Sequence, residues 1–188
     1  MAGAASQAGG LVVPLGGISQ FGDNERVRQA EPGLVKYVPW MEMALAHVQA
    51  EARAEADVPV AALVMTEDGS VVGRGSNQRE DRNDPTAHAE IVALRLAGAQ
   101  LGRWRLDGCT LIVTLEPCAM CAGAAVAARV DRIVFGAFDT KAGACGSVWD
   151  LPRDRASLHQ PEVIGGVLAD QAAAVLTEFF RSRRQPAG

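Results

Sequence analysis

The sequence has no long hydrophobic run, no surplus of positive charge and few cysteines. No stretch reaches the roughly 20 consecutive apolar residues that cross a bilayer, and the N-terminus lacks the basic and compact apolar segments of a signal peptide. We therefore expect a cytoplasmic protein with no membrane partner. The formal net charge of −4 argues against a protein that coats nucleic acid, because such proteins carry excess positive charge that displaces counterions from phosphates. Any contact with nucleic acid must be local.

The chain has only four cysteines in 188 residues. A chain of this length suffices for one domain, which buries about 70% of the surface that its unfolded chain exposes. Such a domain builds its own core and needs no disulfide framework. In a reducing compartment, spaced cysteines more often bind metal or take part in chemistry, so their spacing must decide their role.

Residues 1–39 are rich in Gly, Ala, Gln and Val, and Pro14, Pro32 and Pro39 interrupt the short apolar runs. This composition predicts a flexible N-terminal extension without a function of its own. Apolar residues recur at helical spacing only after Pro39. We therefore assign residues 40–184 to the folded domain and residues 185–188 to a short tail.

The hydrophobic pattern predicts alternating helices and strands without an internal repeat. The expected elements are a helix from about 40 to 56, strands at 60–66 and 70–73, a polar loop at 77–84, a helix at 85–101, a strand at 110–115, a helix at 117–130, strands at 132–136 and near 162–164, and a helix from 169 to about 184. Asp68-Gly69 between the first two strands is typical of a hairpin turn. This order predicts a three-layer α/β/α fold, with a central mixed five-stranded sheet and helices on both faces.

Two short motifs open the second and third long helices, each after a loop that leaves a strand. The first is His88-Ala-Glu90, and the second is Pro117-Cys118-Ala-Met-Cys121. A three-residue step places the two sulfurs on one side of the first helical turn, and a helix N-terminus favours the thiolate that ligates a metal. We expect Pro117 to occupy the first helical position and to orient the pair.

One histidine and two cysteines give three ligands, whereas a structural zinc site requires four. The fourth position is therefore expected to hold water. Cys109 and Cys145 do not obviously fill it, and we interpret both as small buried apolar residues.

Each motif alone has a simpler explanation. A lone His88 is more often a core or capping histidine, Glu90 a carboxylate that answers the helix dipole, and the cysteines a redox pair. The spacing does not fit a capping box, in which Glu or Gln stands three residues after the N-cap residue. A redox pair would lack its usual strand context and would leave the His-Ala-Glu motif unexplained. H-x-E with a downstream P-C-x-x-C is the signature of zinc-dependent nucleobase deaminases, in which the glutamate is the acid/base and not a ligand.

Three longer runs resemble the bacterial tRNA-specific adenosine deaminases over about residues 40–184. They are Asp84-Pro-Thr-Ala-His-Ala-Glu-Ile91, Thr114-Leu-Glu-Pro-Cys-Ala-Met-Cys-Ala-Gly-Ala124 and Phe135-Gly-Ala-Phe-Asp-Thr-Lys-Ala-Gly143. The short motifs are shared by the whole cytidine-deaminase-like superfamily and specify only the chemistry. The adenosine assignment depends on the flanking residues and on the C-terminal run from Glu178 to Arg184, which resembles that family's RNA-facing helix.

The resemblance implies one zinc ion per subunit at His88, Cys118 and Cys121, and proton transfer by Glu90. It also implies that Asn77 holds a flipped base and that Asp139 contacts the anticodon-loop backbone. A plain loop residue at Asn77 and a turn-capping aspartate at Asp139 are the simpler alternatives.

The implied activity is hydrolytic deamination of adenosine to inosine at wobble position 34 of a tRNA anticodon, by a homodimer. Two other functions remain open: a deaminase of free bases or nucleosides, such as guanine or cytosine, and a zinc-stapled RNA-binding protein without catalysis. Leu158 stands where the family usually has an asparagine, which puts local RNA affinity or loop order in question. The arginines of the last helix either contact phosphates or compensate the helix dipole.

Overall fold

The computed structural model describes residues 33–51 and 57–184. After a 3-10 turn at Val35–Tyr37, its elements are α1 (Val38–Glu51), β1 (Ala61–Thr66), β2 (Val71–Ser76), α2 (Arg79–Arg82), α3 (Ala89–Leu101), β3 (Cys109–Leu115), α4 (Ala119–Ala128), β4 (Arg132–Ala137), β5 (Glu162–Ile164) and α5 (Ala169–Arg184). None of the described helices is both long and apolar enough to span a bilayer.

The sheet has five strands in the order β2-β1-β3-β4-β5. Strand β1 runs antiparallel to both β2 and β3, while β3, β4 and β5 are mutually parallel. The predicted mixed five-stranded sheet is therefore confirmed. Because β2 and β3 both oppose β1, they point the same way and end at the same edge of the sheet.

Alternating side chains of the strands form two cores, one on each face. One core combines Val64, Leu111 and Ile133 with residues of α3 and α4. The other combines Leu63 and Ile112 with residues of α1 and α5. Successive strand residues point to opposite faces, so these nearly continuous apolar strands need a helical layer on each side. The predicted three layers are confirmed.

Helix α3 lies directly against β2 because β2 contributes two glycines to the contact. A Cβ atom on Gly75 would overlap the carbonyl oxygen of Ala89 and lie 2.8 Å from the amide nitrogen of Ala93, and Gly73 is equally confined. The backbone of α3 thus approaches the sheet without intervening side chains. This approach fixes the start of α3 relative to the end of β2.

Two sequence predictions need correction. The boundary after residue 39 is too late, because Tyr37 and Val38 are buried in the second core and α1 already begins at Val38; proline is tolerated in a first helical turn. The expected loop at 77–84 contains the single helical turn α2. No apolar periodicity in the sequence predicts this turn. The end of the first helix near residue 56, the extension before residue 33 and the tail after residue 184 lie outside the described residues.

Candidate active site

The two sequence motifs meet where β2 and β3 end. His88 is the N-cap residue of α3, and Cys118 is the N-cap residue of α4. Both helices therefore begin later than expected, and Pro117 precedes the cap instead of occupying the first helical position. Extended backbone at His88 and Cys118 aims both side chains into the space between the two helix starts.

The donor atoms of His88, Cys118 and Cys121 lie within 4.8 Å of one another. The Nδ1 atom of His88 is 3.7 Å from the Cys118 sulfur and 3.6 Å from the Cys121 sulfur. A tetrahedral zinc with Zn–S bonds of about 2.3 Å and Zn–N bonds of about 2.0 Å separates its donors by about 3.5–3.8 Å. The three side chains thus fit one zinc ion, and they leave a fourth position for water.

The electrostatics of the group favour the metal-binding form of one donor, Cys118. The pKa of the Cys118 thiol is lowered to about 4, first by a hydrogen bond with Cys121 and further by His88, while that hydrogen bond and burial raise the pKa of Cys121. The hydrogen bond with Cys118 also raises the pKa of His88. Cys118 is therefore held as a thiolate, the form that binds zinc.

Glu90 lies in the first turn of α3 and is only 4% exposed. Burial, which penalises the charged carboxylate, raises its pKa to about 7, although a hydrogen bond with Cys121 acts in the opposite direction. The carboxyl group adjoins the three donors but is not one of them. A carboxyl group with a pKa near neutrality can both accept and return a proton.

Comparison with known proteins is consistent with this geometry. Residues 36–137 match the cytidine and deoxycytidylate deaminase zinc-binding region. The chain is 44% identical over 135 residues to the tRNA-specific adenosine deaminase of Bacillus subtilis. The aligned residues make up 72% of this chain and 83% of that protein. The chain belongs to this deaminase family.

The chain is also similar to a longer protein and to solved structures of other deaminases. It is 51% identical over 135 residues to the tRNA(Ile)-lysidine synthase of Deinococcus deserti, but spans only 25% of that protein. A solved structure from a study of A-to-I editing by tRNA:A34 deaminases has a TM-score of 0.69 and 39% identity, over 73% of this chain and 99% of that one. A guanine deaminase structure from Nitrosomonas europaea has a TM-score of 0.63 and 30% identity, over 80% and 93%.

Asn77 directly follows β2, in the loop that leads to His88. Its Nδ2 atom donates to the Val58 carbonyl at 3.3 Å, and its Oδ1 atom is buried without a hydrogen-bond partner among the described residues. The next amide, that of Gln78, donates to the carbonyl of Ala87, the neighbour of His88. The unsatisfied acceptor thus belongs to the residue before this hydrogen bond to the neighbour of His88, and buried acceptors normally have a partner.

Asp139 follows β4 and caps a turn. Its Oδ1 atom accepts hydrogen bonds from the amides of Lys141 at 2.9 Å and Ala142 at 3.2 Å. The simpler alternative for this residue is therefore present in the structure. Contact with RNA through the same carboxylate stays a prediction.

Sequence reasoning missed Glu116, which is 2% exposed and immediately precedes Pro117. Its carboxylate accepts hydrogen bonds from the amides of Asp139, Cys145 and Ser147 and from the Ser147 hydroxyl. These donors lie 23 to 31 residues further along the chain, so spacing gives no signal of them. The only available signal is a charged residue between a buried strand and a cysteine motif.

The other two cysteines lie outside the metal group. Cys109 and Cys145 are buried in the core between the sheet, α3 and α4. Burial raises the pKa of both thiols, that of Cys145 to about 12. Both agree with the prediction of small apolar residues.

The last helix, α5, carries its aromatic and basic residues near its C-terminal end. Phe180 is 46% exposed, whereas Val175 packs against the second core. Arg181 pairs with Glu178 at 2.7 Å, and the Arg183 guanidinium lies 4.1 Å from the centre of the Phe179 ring. Leu158 is exposed in the loop before β5.

Proposed function

We propose that this chain is a zinc-dependent hydrolase that converts adenosine to inosine at wobble position 34 of a tRNA anticodon. The observation that carries the proposal is the buried carboxyl group of Glu90 beside a donor set with the dimensions of a three-ligand zinc site. The family relationship provides the substrate class. A tRNA substrate also favours the cytoplasm as the place of action.

The proposed mechanism assigns one role to each residue. Zinc held by His88, Cys118 and Cys121 supplies, when bound, a water acidic enough to yield hydroxide at neutral pH. Glu90 accepts the proton of that water and delivers it to N1 of adenine as C6 is attacked. It then takes the proton of the hydroxyl group now on C6 and passes it to the departing amine, so that adenosine and water yield inosine and ammonia.

Asn77 is proposed to hold the target base. Its unpartnered Oδ1 atom accepts a hydrogen bond from the nucleoside, which satisfies an acceptor that the described protein leaves open. Asp139 is proposed to contact the anticodon-loop backbone from the turn that follows β4. Both assignments place substrate contacts on loops beside the metal ligands.

The decisive experiment compares substrates and one carboxylate variant. We expect the purified protein to release ammonia from an anticodon stem-loop with adenosine at position 34, and far less from free adenosine, guanine or cytidine. Glu90→Gln should retain about one zinc per chain and lose at least 100-fold in rate, since general acid–base catalysis contributes about 10²–10⁴-fold. The matched control is Glu67→Gln, at the exposed hairpin turn, which should retain full activity.

The outcomes separate the alternatives. Faster turnover of a free base than of the stem-loop would indicate a free-base deaminase, the activity of the guanine deaminase relative. Stem-loop binding without ammonia release would indicate a zinc-stapled RNA-binding protein. A Glu90→Gln variant with near wild-type turnover would contradict the proposed mechanism.

We also propose a homodimer that uses the outer face of α3 and α4. A groove there is lined by Ile91, Leu94, Gly98, Ala124 and Ala128, and Trp104 projects beside it with 67% exposure. A large apolar side chain next to a largely apolar groove permits a two-fold contact, in which each copy fills the groove of the other. Sedimentation should give the mass of two chains at micromolar concentration, and Trp104→Ser should give the mass of one.

A further inference from the structure

Asp57 lies between α1 and β1 and carries a buried carboxylate, with the residue only 8% exposed. Its Oδ1 atom accepts a hydrogen bond from the amide of Glu80 at 3.1 Å, and its Oδ2 atom accepts one from the amide of Asp81 at 3.2 Å. These amides open α2, whose own N-cap residue, Gln78, provides no side-chain cap. Asp57 therefore supplies, from more than 20 residues away, the cap that α2 lacks.

The segment that follows Asp57 also holds Asn77, which lies two residues before α2. The carbonyl of Val58 accepts from Nδ2 of Asn77 at 3.3 Å, and the carbonyl of Val60 accepts from its backbone amide at 3.1 Å. Residues 57–60 thus form hydrogen bonds with the loop at Asn77 and again with the amides at the start of α2. About one turn of chain separates these two sets of contacts.

These hydrogen bonds determine which side-chain atom of Asn77 is left without a partner. Because Nδ2 is engaged by the Val58 carbonyl, the atom left without a partner in the described part of the chain is Oδ1. Because Asp57 ties the segment 57–60 to α2, loss of its carboxylate would loosen the Val58 and Val60 carbonyls that hold Asn77, and the side-chain amide could then rotate and present its donor in place of its acceptor. The link continues to the metal site, since the Gln78 amide donates to the Ala87 carbonyl beside His88.

We propose that Asp57 is a positioning residue for the target nucleoside, acting through Asn77. It touches neither substrate nor metal in this scheme. By fixing the loop, it orients Oδ1 of Asn77 as an acceptor for a donor group of the nucleoside. The inference depends on the proposed function, because it requires Asn77 to contact the base.

A double-mutant cycle tests this coupling. We expect Asp57→Ala to lower kcat/KM for the anticodon stem-loop about tenfold, as the loss of one or two hydrogen bonds would, mainly through KM. Asn77→Ala should lower it at least as much, and the double variant should be no worse than Asn77→Ala alone. Additive effects would overturn the inference, because independent sites add.

A second substrate distinguishes positioning from a general structural effect. A stem-loop that lacks the base at position 34 retains the backbone contacts, so Asp57→Ala should bind it as wild type does. Equal weakening for both stem-loops would overturn the inference. A wild-type protein that does not discriminate between the two stem-loops would overturn the proposed function as well.

Two further variants keep the test independent of folding. Asp57→Asn retains one acceptor oxygen and the shape of the side chain, and it should show a smaller effect of the same kind. Asp68→Ala is the matched control, because Asp68 also accepts bonds from a backbone amide and a side chain, but at the exposed hairpin turn. It should leave kcat/KM unchanged, and zinc content should be equal in all variants.

Discussion

The backbone amide of Asp139 donates a hydrogen bond to Oε2 of Glu116 at 3.1 Å, across 23 residues of sequence. Glu116 directly follows β3, the strand that leads to the cysteine motif, and Asp139 lies near the start of the long loop after β4. The same carboxylate also accepts from the amides of Cys145 and Ser147. One buried acidic group therefore organises the loop that flanks the proposed zinc site.

Replacement of Glu116 should destabilise the protein more than replacement of a surface acid. Glu116→Ala leaves several loop amides without an acceptor, and each such loss costs about 1–3 kcal/mol. We expect the free energy of unfolding to fall by about 3 kcal/mol or more in denaturant titrations. Glu116→Gln retains one acceptor oxygen and should fall by less.

Glu162 is the control for that experiment. It forms an exposed ion pair with Arg132 at 2.9 Å, and surface pairs contribute about 0–1 kcal/mol. Equal losses for Glu116→Ala and Glu162→Ala would show that the buried carboxylate does not organise the loop.

Glu90 should make the stability of the metal-free protein depend on pH. Its pKa is about 7 in the fold and 4.5 as an ordinary carboxyl group, so the folded state binds more protons than the unfolded state between these values. Stability is then lost as pH rises from about 4.5 to 7, by up to about 3 kcal/mol. Unfolding of wild type and Glu90→Gln, both with a chelator, should show this loss in wild type only.

A parallel pH dependence in the two proteins would assign the titration to other groups. The variant serves as the reference because glutamine cannot ionise, while the rest of the titrating groups are retained. The difference between the two curves therefore isolates Glu90.

Gly75 should tolerate no side chain. Alanine there would place Cβ against the backbone of Ala89 and Ala93, and overpacking of this kind costs about 1–3 kcal/mol. Because His88, a proposed metal ligand, is the N-cap of α3, zinc affinity should fall together with the melting temperature of Gly75→Ala. The control Gly123→Ala, in α4 with open space around its Cβ, should gain about 0.5–1 kcal/mol. A stable Gly75→Ala variant with normal zinc affinity would contradict the close contact of α3 with the sheet.

The arginines at the end of α5 should determine the salt dependence of RNA binding. Each phosphate contact contributes about one to the log–log slope of affinity against salt. Replacing Arg181, Arg183 and Arg184 together with glutamine should reduce this slope by up to about three, while turnover of a saturating short substrate stays the same. Arg105→Gln, which breaks an ion pair with Asp107, is the control. An unchanged slope with a lower melting temperature would leave only the helix-dipole role.

The sequence by itself determined the order of the elements other than α2, the mixed sheet and the three donor residues. These features are local: apolar spacing follows helix and strand periods, and Cys118 and Cys121 are three residues apart at one helix start. The predicted bounds of α5 agree with the structure. The predicted boundary of the N-terminal extension at residue 39 was wrong, because the burial of Tyr37 depends on contacts with distant elements.

The tertiary structure alone decided what joins these local pieces. His88 meets the cysteines because β2 and β3 point the same way on either side of β1. Asp57 and Glu116 act on backbone amides more than 20 residues away. Every residue offers such an amide, so no side-chain pattern marks the partner, and only the folded path of the chain brings carboxylate and amide together.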